Sequence, residues 1–331
     1  MKRLVISLVL AVYVMCLCSC KDDIVQRAKK ANLIVDTFDD KPAMELAESK
    51  EFEAGNTAMK YCYYQGFLYY LISDKSINIA KYNTETGESS EMAALSLDEN
   101  DDYALDSVIS LNVNDDKIVL HCLAMQESEN ISDNASDNYM PIKLTYDMSG
   151  NKESEVTFEE DDNISIIRKC VTDNEGNTYF LAESENGIDS FLIKYDIKGK
   201  KKCVVKMANY GDDIGLCNGK IVMYRYDMEK EELGFYDIEN DTYEPSGFAD
   251  IYPNELNSRI VGAYNSKTLI MSNARLYSYD PVTNELIALI DMNKNSIDCT
   301  GVRYVEQTSD DEVIIIYSPD GFAYEIMYFR V

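Results

Sequence analysis

One short signature recurs along this chain and limits what it can fold into: an apolar run of strand length that ends in Tyr, then Asp or Asn, then turn residues. It stands at Tyr82-Asn83, Tyr146-Asp147, Tyr195-Asp196, Tyr236-Asp237 and Tyr279-Asp280, with steps of 64, 49, 41 and 43 residues. A further step of 49 reaches Tyr328, where the Asp and the turn are missing. Before each signature lies another strand with its own turn, as in Gln65-Gly66 before Phe67, Asn114-Asp115-Asp116 before Ile118, and Asn218-Gly219 before Ile221. Tight hairpins need positive φ at one or two positions, and Asx side chains bond the turn backbone, so these residue types fall where the chain must reverse. Between the turns, runs rich in Val, Ile, Tyr and Phe have strand length, and helical periodicity is absent after Thr57.

Repeats of about 40 to 50 residues with four strands each describe the blades of a β-propeller. The reading is an all-β, six-bladed β-propeller, with seven blades the alternative if residues 33–57 supply most of another. The long first step holds a polar insertion, Gln126 to Asn138, that reads as a loop of the second blade. The last blade supplies only three strands, Thr300 to Gln307, Val313 to Tyr317 and Tyr324 to Val331. An exposed strand edge invites aggregation. A stretch between Leu33 and Phe52 is therefore expected to pair beside Tyr324 to Val331 and close the ring.

Met1-Lys2-Arg3 is followed by a stretch of fourteen residues, Leu4 to Leu17, apolar but for Ser7, the length of a signal-peptide core and short for a membrane span. The ending Leu17-Cys18-Ser19-Cys20 resembles the lipobox of bacterial lipoproteins, with Cys18 where Ala, Ser or Thr is commoner. The resemblance implies cleavage before Cys20, with a diacylglycerol thioether and amine acylation on that residue, and two or more acyl chains make a durable anchor. The expected organisation is a signal peptide over 1–19, a lipid-anchored linker over 20–57 and the propeller over 58–331. Within the linker, Asp23 to Phe38 fits either a helix or an extended segment that joins the fold.

The run Leu276-Tyr277-Ser278-Tyr279-Asp280, with Glu285 to Leu289 and the final Tyr-rich strands, resembles the N-terminal propeller of certain surface lipoproteins of gut Gram-positive anaerobes. In those proteins a solute-binding domain serving an ABC importer follows the propeller, and here the sequence stops where that domain would start. The resemblance implies a place at the cell surface and, as partners, components of such a transporter.

Charge narrows the function classes. The chain has 31 Lys+Arg against 59 Asp+Glu, a net charge of −28. Such a surface repels phosphate backbones, so no nucleic-acid partner is expected. With 46% apolar residues the chain has the mass for a packed core, unlike an acidic disordered tail. The one histidine, His121, lies in the strand Ile118 to Cys122 and reads as a half-buried or surface strand residue. Cys62, Cys122, Cys170, Cys203, Cys217 and Cys299 form no CxxC pair, which speaks against a zinc knuckle or thioredoxin-type site. They fit mostly free, buried thiols, or up to three bridges. The acidic clusters at 98–102, 159–162 and 310–311 read as solvated loops, and Asp173-Asn174-Glu175-Gly176-Asn177 as a hairpin turn, since none has the spacing of a calcium loop. No carboxylate pair stands out, there is no Trp for sugar stacking, and no metal or cofactor site is expected. The sequence thus reads as a lipid-anchored, extracytoplasmic propeller that is a non-enzymatic ligand- or protein-binding module. The alternatives are an accessory module of an ABC importer and a propeller hydrolase acting on glycans or peptides.

Overall fold

The computed structural model describes residues 34–36, 43–52 and most of 58–331, leaving aside chiefly the segments 74–76, 96–102, 127–138, 160–165, 208–212 and 246–258. Its described regular structure is almost entirely strand. Blade one is β3 (Ala58–Tyr64), β4 (Phe67–Ser73), β5 (Ile77–Asn83) and β6 (Ser89–Leu95), and blade two is β7 (Tyr103–Asn114), β8 (Lys117–Gln126), β9 (Tyr139–Asp147) and β10 (Lys152–Thr157). Blade three is β11 (Ile166–Thr172), β12 (Thr178–Glu183), β13 (Ser190–Tyr195) and β14 (Lys201–Lys206), and blade four is β15 (Asp213–Cys217), β16 (Lys220–Asp227), β17 (Lys230–Asp237) and β18 (Thr242–Pro245). Blade five is β19 (Arg259–Tyr264), β20 (Lys267–Ser272), β21 (Arg275–Asp280) and β22 (Glu285–Asp291), and blade six is β23 (Val302–Ser309), β24 (Glu312–Tyr317) and β25 (Tyr324–Arg330). Each blade is an antiparallel meander.

Two strands from the N-terminal side complete the outer edges. β1 (Ile34–Asp36) adds to blade five, parallel to β22. Residues 34–36 are thus extended, not helical. β2 (Glu45–Phe52) pairs antiparallel with β25 and gives blade six its fourth strand.

The first strands of successive blades touch one another in order, and β23 of blade six meets β3 of blade one. Six apolar clusters fill the six seams between neighbouring blades. The seam that closes the ring joins Ile314, Ile316, Ile326 and Tyr328 of blade six to Leu68, Tyr70 and Tyr82 of blade one. A blade buried on both faces leaves little room for polar alternation, which is why β12 is buried at every position.

The Tyr-Asp signature falls at the end of the third strand of blades one to five. Tyr82, Tyr146, Tyr195, Tyr236 and Tyr279 are buried, and so is Tyr328 of blade six. The residue that follows holds the turn: Asp147 Oδ1 accepts from the backbone N–H of Ser149 and Asn151, and Asp196 Oδ1 from Lys198 and Lys200. The ring hydroxyls tie neighbours together. Tyr328 donates to the Thr84 carbonyl of blade one at 3.0 Å, and Tyr195 to the Glu159 carbonyl at 3.0 Å. The repeat is thus one residue for a seam and one for a turn.

Candidate functional site

Because the six inner strands run in the same sense around the ring, their first residues lie at one end of it. Those residues carry an unusual share of charge for so acidic a chain. Lys60 is third in β3, Asp106 fourth in β7, Arg168 and Lys169 third and fourth in β11, Asp213 first in β15, Arg259 first in β19 and Arg303 second in β23. A shared irregularity accompanies them. The pairing of β3 slips between Ala58 and Tyr61, of β7 between Leu105 and Ser107, of β11 between Ile167 and Lys169, of β19 between Ile260 and Gly262, and of β23 between Val302 and Tyr304. Each slip is a β-bulge, an extra residue that breaks the alternation and re-aims a side chain. The extra residue is Asp106, Arg168 and Arg303 in three strands, and Lys60 lies within the bulge of a fourth.

On the blade three to five side the charges are matched. Arg168 Nη1 lies 2.9 Å from Glu183 Oε1. Lys169 Nζ donates to Asp213 Oδ1 at 2.7 Å and to the Ile260 carbonyl at 2.9 Å. Asp213 also accepts the backbone N–H of Ile214 and of Ile260, so this one carboxylate joins the first strands of blades three, four and five.

On the blade five, six and one side, among the described residues, the hydrogen bonds of the cations go to backbone carbonyls alone or are missing. Arg259 Nη2 donates to the carbonyls of Cys299 and Val302, at 2.8 and 3.2 Å, and Arg303 Nη2 to that of Ser318 at 3.1 Å. Burial lowers the Arg259 pKa and Arg303 lowers it further, while Cys299 and Asp213 oppose them. Burial alone lowers that of Lys60, whose ammonium has no hydrogen-bond or ion-pair partner among the described residues. Beside Arg259 opens a cleft of about 800 Å³ between blades five and six, whose lining includes Ser272, Asn293, Asp298 and Thr300.

Further along β23, at the seam with blade one, stands a carboxyl with a distinct environment. Tyr304 Oη donates to Glu306 Oε2 at 2.7 Å and accepts the Tyr63 N–H at 3.0 Å. Burial pushes the Glu306 pKa up to about 7, against the pull of the Tyr304 hydrogen bond. The neighbouring thiol of Cys62 is held up at about 11 by burial, so it stays protonated and is a poor nucleophile.

The residues singled out in the sequence fall elsewhere. His121 is fully buried, not at the surface. Its Nδ1 lies 2.9 Å from Ser110 Oγ, its Nε2 has no partner among the described residues, and its ring packs against Phe158 and Phe180. Desolvation, helped by Lys143, lowers its pKa to about 3, so the imidazole is neutral at neutral pH. Asp173 does hold a hairpin: its carboxylate accepts the N–H of Glu175 and Asn177 and the Tyr179 hydroxyl. That turn borders a smaller cleft of about 490 Å³ between blades three and four, at the opposite end of the ring. The six cysteines from Cys62 to Cys299 are free, with Cys122 and Cys217 buried. No group of three potential metal ligands occurs among the described residues. Cys20 and the insertion over 127–138 lie outside the described residues.

These features belong to a six-bladed β-propeller. No family model and no characterised sequence matches the chain. In solved structures the fold is shared with a gluconolactonase from Xanthomonas campestris, at 10% identity and a TM-score of 0.53 over 88% of this chain and 95% of that one. It is also shared with Mala s 1, the major allergen of Malassezia sympodialis, at 13% identity and a TM-score of 0.52 over 86% and 96%. The Dos1 propeller aligns at 7% identity and a TM-score of 0.50 over 88% and 96%. The gluconolactonase corrects one expectation. The protein was expected not to be an enzyme because no histidine cluster or carboxylate pair was visible in the sequence, yet an enzyme shares its fold across nearly the whole length. That expectation does not stand.

Proposed function

We propose that the protein is a propeller hydrolase, held at the outer face of the cell membrane by lipid on Cys20, that cleaves glycans or peptides near the end of the ring where the inner strands begin. The observation that carries this is Glu306. Hydrolysis of a glycoside or an amide needs a proton delivered to a poor leaving group, and a group with a pKa near the ambient pH does this best. Glu306 is the carboxyl on the inner strands held in that range, and Tyr304, anchored by the Tyr63 N–H, fixes its orientation. The gluconolactonase likeness adds that hydrolytic chemistry is carried by a propeller of this length. The lipobox resemblance of Leu17 to Cys20 supports the location.

The test is product release by the full chain in detergent micelles from panels of glycans and peptides, with Glu306→Gln run in parallel. The proposal predicts turnover that falls by roughly a hundredfold or more in the variant, the usual contribution of a positioned proton donor. No turnover by the wild type, or equal turnover by the variant, overturns it.

A further inference from the structure

We infer that Arg259, Arg303 and Lys60, with the cleft beside Arg259, form a binding site for a sugar acid, the carboxylate held by the cations and the hydroxyls by Asp298 and its neighbours. The inference deepens the hydrolase reading by naming its substrate class, though it concerns binding and stands on separate residues.

The first observation is the contrast in charge. Acids outnumber bases by nearly two to one in this chain, so a cation left without a counter-charge is the exception. At the charged end of the ring, Arg168 and Lys169 have carboxylate partners. Arg259 and Arg303 hydrogen-bond only backbone carbonyls among the described residues, each through one nitrogen, and the one carboxylate that acts on Arg259, Asp213, is already bonded to Lys169, so the guanidinium forks keep N–H groups without an acceptor among those residues. Lys60 has no partner at all among them. Desolvating Arg259 and Lys60 costs free energy unless an anion meets them, and the planar Arg fork matches a carboxylate in two parallel hydrogen bonds.

The second observation is placement. Arg303 and Lys60 belong to bulges in adjacent inner strands, β23 and β3, and Arg259 opens β19 next to them. An inner strand is covered on both faces by other blades, so exposure there is exposure to the axis or to the end of the ring. Arg303 is exposed, and Arg259 and Lys60 are half-buried. A recurrent bulge in five of six inner strands, at the same end, is a repeated local distortion that packing of the seams does not require, as β15 shows by lacking one.

The third observation sets the ligand class. Asp298 lies in the same cleft and accepts the Thr300 N–H at 2.9 Å. A carboxylate acceptor there disfavours a compact dianion such as phosphate and calls for hydroxyl donors. Asn293, Ser272 and Thr300 add donors and acceptors for further hydroxyls. One negative charge together with several hydroxyls describes a sugar acid.

The test is a titration of the full chain in detergent micelles with methyl β-D-glucuronide, its neutral counterpart methyl β-D-glucoside, and inorganic phosphate, read by saturation-transfer NMR. Arg303→Gln is the first variant because Arg303 is exposed, Lys60→Gln the second, and Lys117→Gln, at the opposite end of the ring, the control. The expected result is binding of the glucuronide in preference to the glucoside and phosphate, weakened roughly tenfold or more by Arg303→Gln and by Lys60→Gln and unchanged by Lys117→Gln. Equal binding of the glucoside, stronger binding of phosphate, no binding of the glucuronide, or wild-type affinity in the Arg303 variant overturns the inference. Glucuronide binding without turnover of any substrate upholds this site and sinks the hydrolase reading. Turnover of neutral glycans by a chain that ignores the glucuronide does the reverse.

Discussion

Replacing Glu306 with Gln removes an ionisable group while keeping its shape and an acceptor for the Tyr304 hydroxyl, so its effect on stability isolates the charge. In the folded protein the group has its pKa raised from 4.5 to about 7 by burial. A raised carboxyl pKa means that the folded state holds its proton more tightly than the unfolded state. The neutral form is therefore favoured below pH 4.5, where the site imposes no penalty, and stability is lost as pH rises from 4.5 through 7. At roughly 1.36 kcal/mol for each pH unit between the two values, ionised Glu306 costs about 3 kcal/mol at pH 8. Glu306→Gln is thus expected to be more stable than wild type by up to that amount at pH 8, and equal to it at pH 4. The assay is a pair of urea unfolding curves at each pH, followed by tyrosine fluorescence, with the difference between the two proteins plotted against pH. A flat difference, or a variant less stable at pH 8, refutes the argument that Glu306 is desolvated without a compensating cation. Stabilisation together with loss of turnover is the pattern expected of a strained functional group.

Other perturbations give separate checks. His121 has the opposite sign: its folded pKa of about 3 lies below the ordinary 6.5, so stability is lost as pH falls from 6.5 towards 3, by as much as about 5 kcal/mol. His121→Leu is expected to flatten that acid limb in thermal melts between pH 7 and 4, and an unchanged limb contradicts the assignment. Gly199 has φ +77°, and a Cβ there would meet the Thr157 carbonyl of blade two at 2.2 Å. Gly199→Ala is expected to lower stability by more than about 2 kcal/mol in urea titrations, whereas Gly66→Ala, at φ +82° in open space, costs only about 1. Deleting residues 45–52 bares the edge of β25 and is expected to yield soluble aggregates on size exclusion. Cys20→Ala is expected to leave the membrane fraction for the soluble one on ultracentrifugation, and retention in the membrane speaks against the lipid anchor.

The blades were legible because their punctuation is local. A Tyr that fills a seam and an Asp that holds a turn must follow one another wherever a third strand ends, so the repeat shows in the letters. The hydrophilic strand β2, Glu-Leu-Ala-Glu-Ser-Lys-Glu-Phe, shows little of this, because an outermost strand faces solvent on an edge and needs few apolar residues. The charged end of the ring was not legible. Apart from the neighbours Arg168 and Lys169, its cations lie at the starts of different inner strands, tens of residues apart, and only the ring brings Arg259 beside Arg303. The bulges that free Arg168 and Arg303 from the alternation have no sequence signal of their own. Glu306 did leave a trace: Val302-Arg303-Tyr304-Val305-Glu306-Gln307 is more polar than a strand buried between two blades requires. The buried His121 was misplaced because a strand sealed by blades on both sides loses the polar-out pattern that marks exposure.

The most direct test of the central claim is a crystal structure of the protein grown with methyl β-D-glucuronide. The account predicts the sugar acid at the end of the ring where β3, β19 and β23 begin, its carboxylate on Arg259 and Arg303. A glucuronide bound instead in the cleft beside Asp173, at the opposite end, would contradict it.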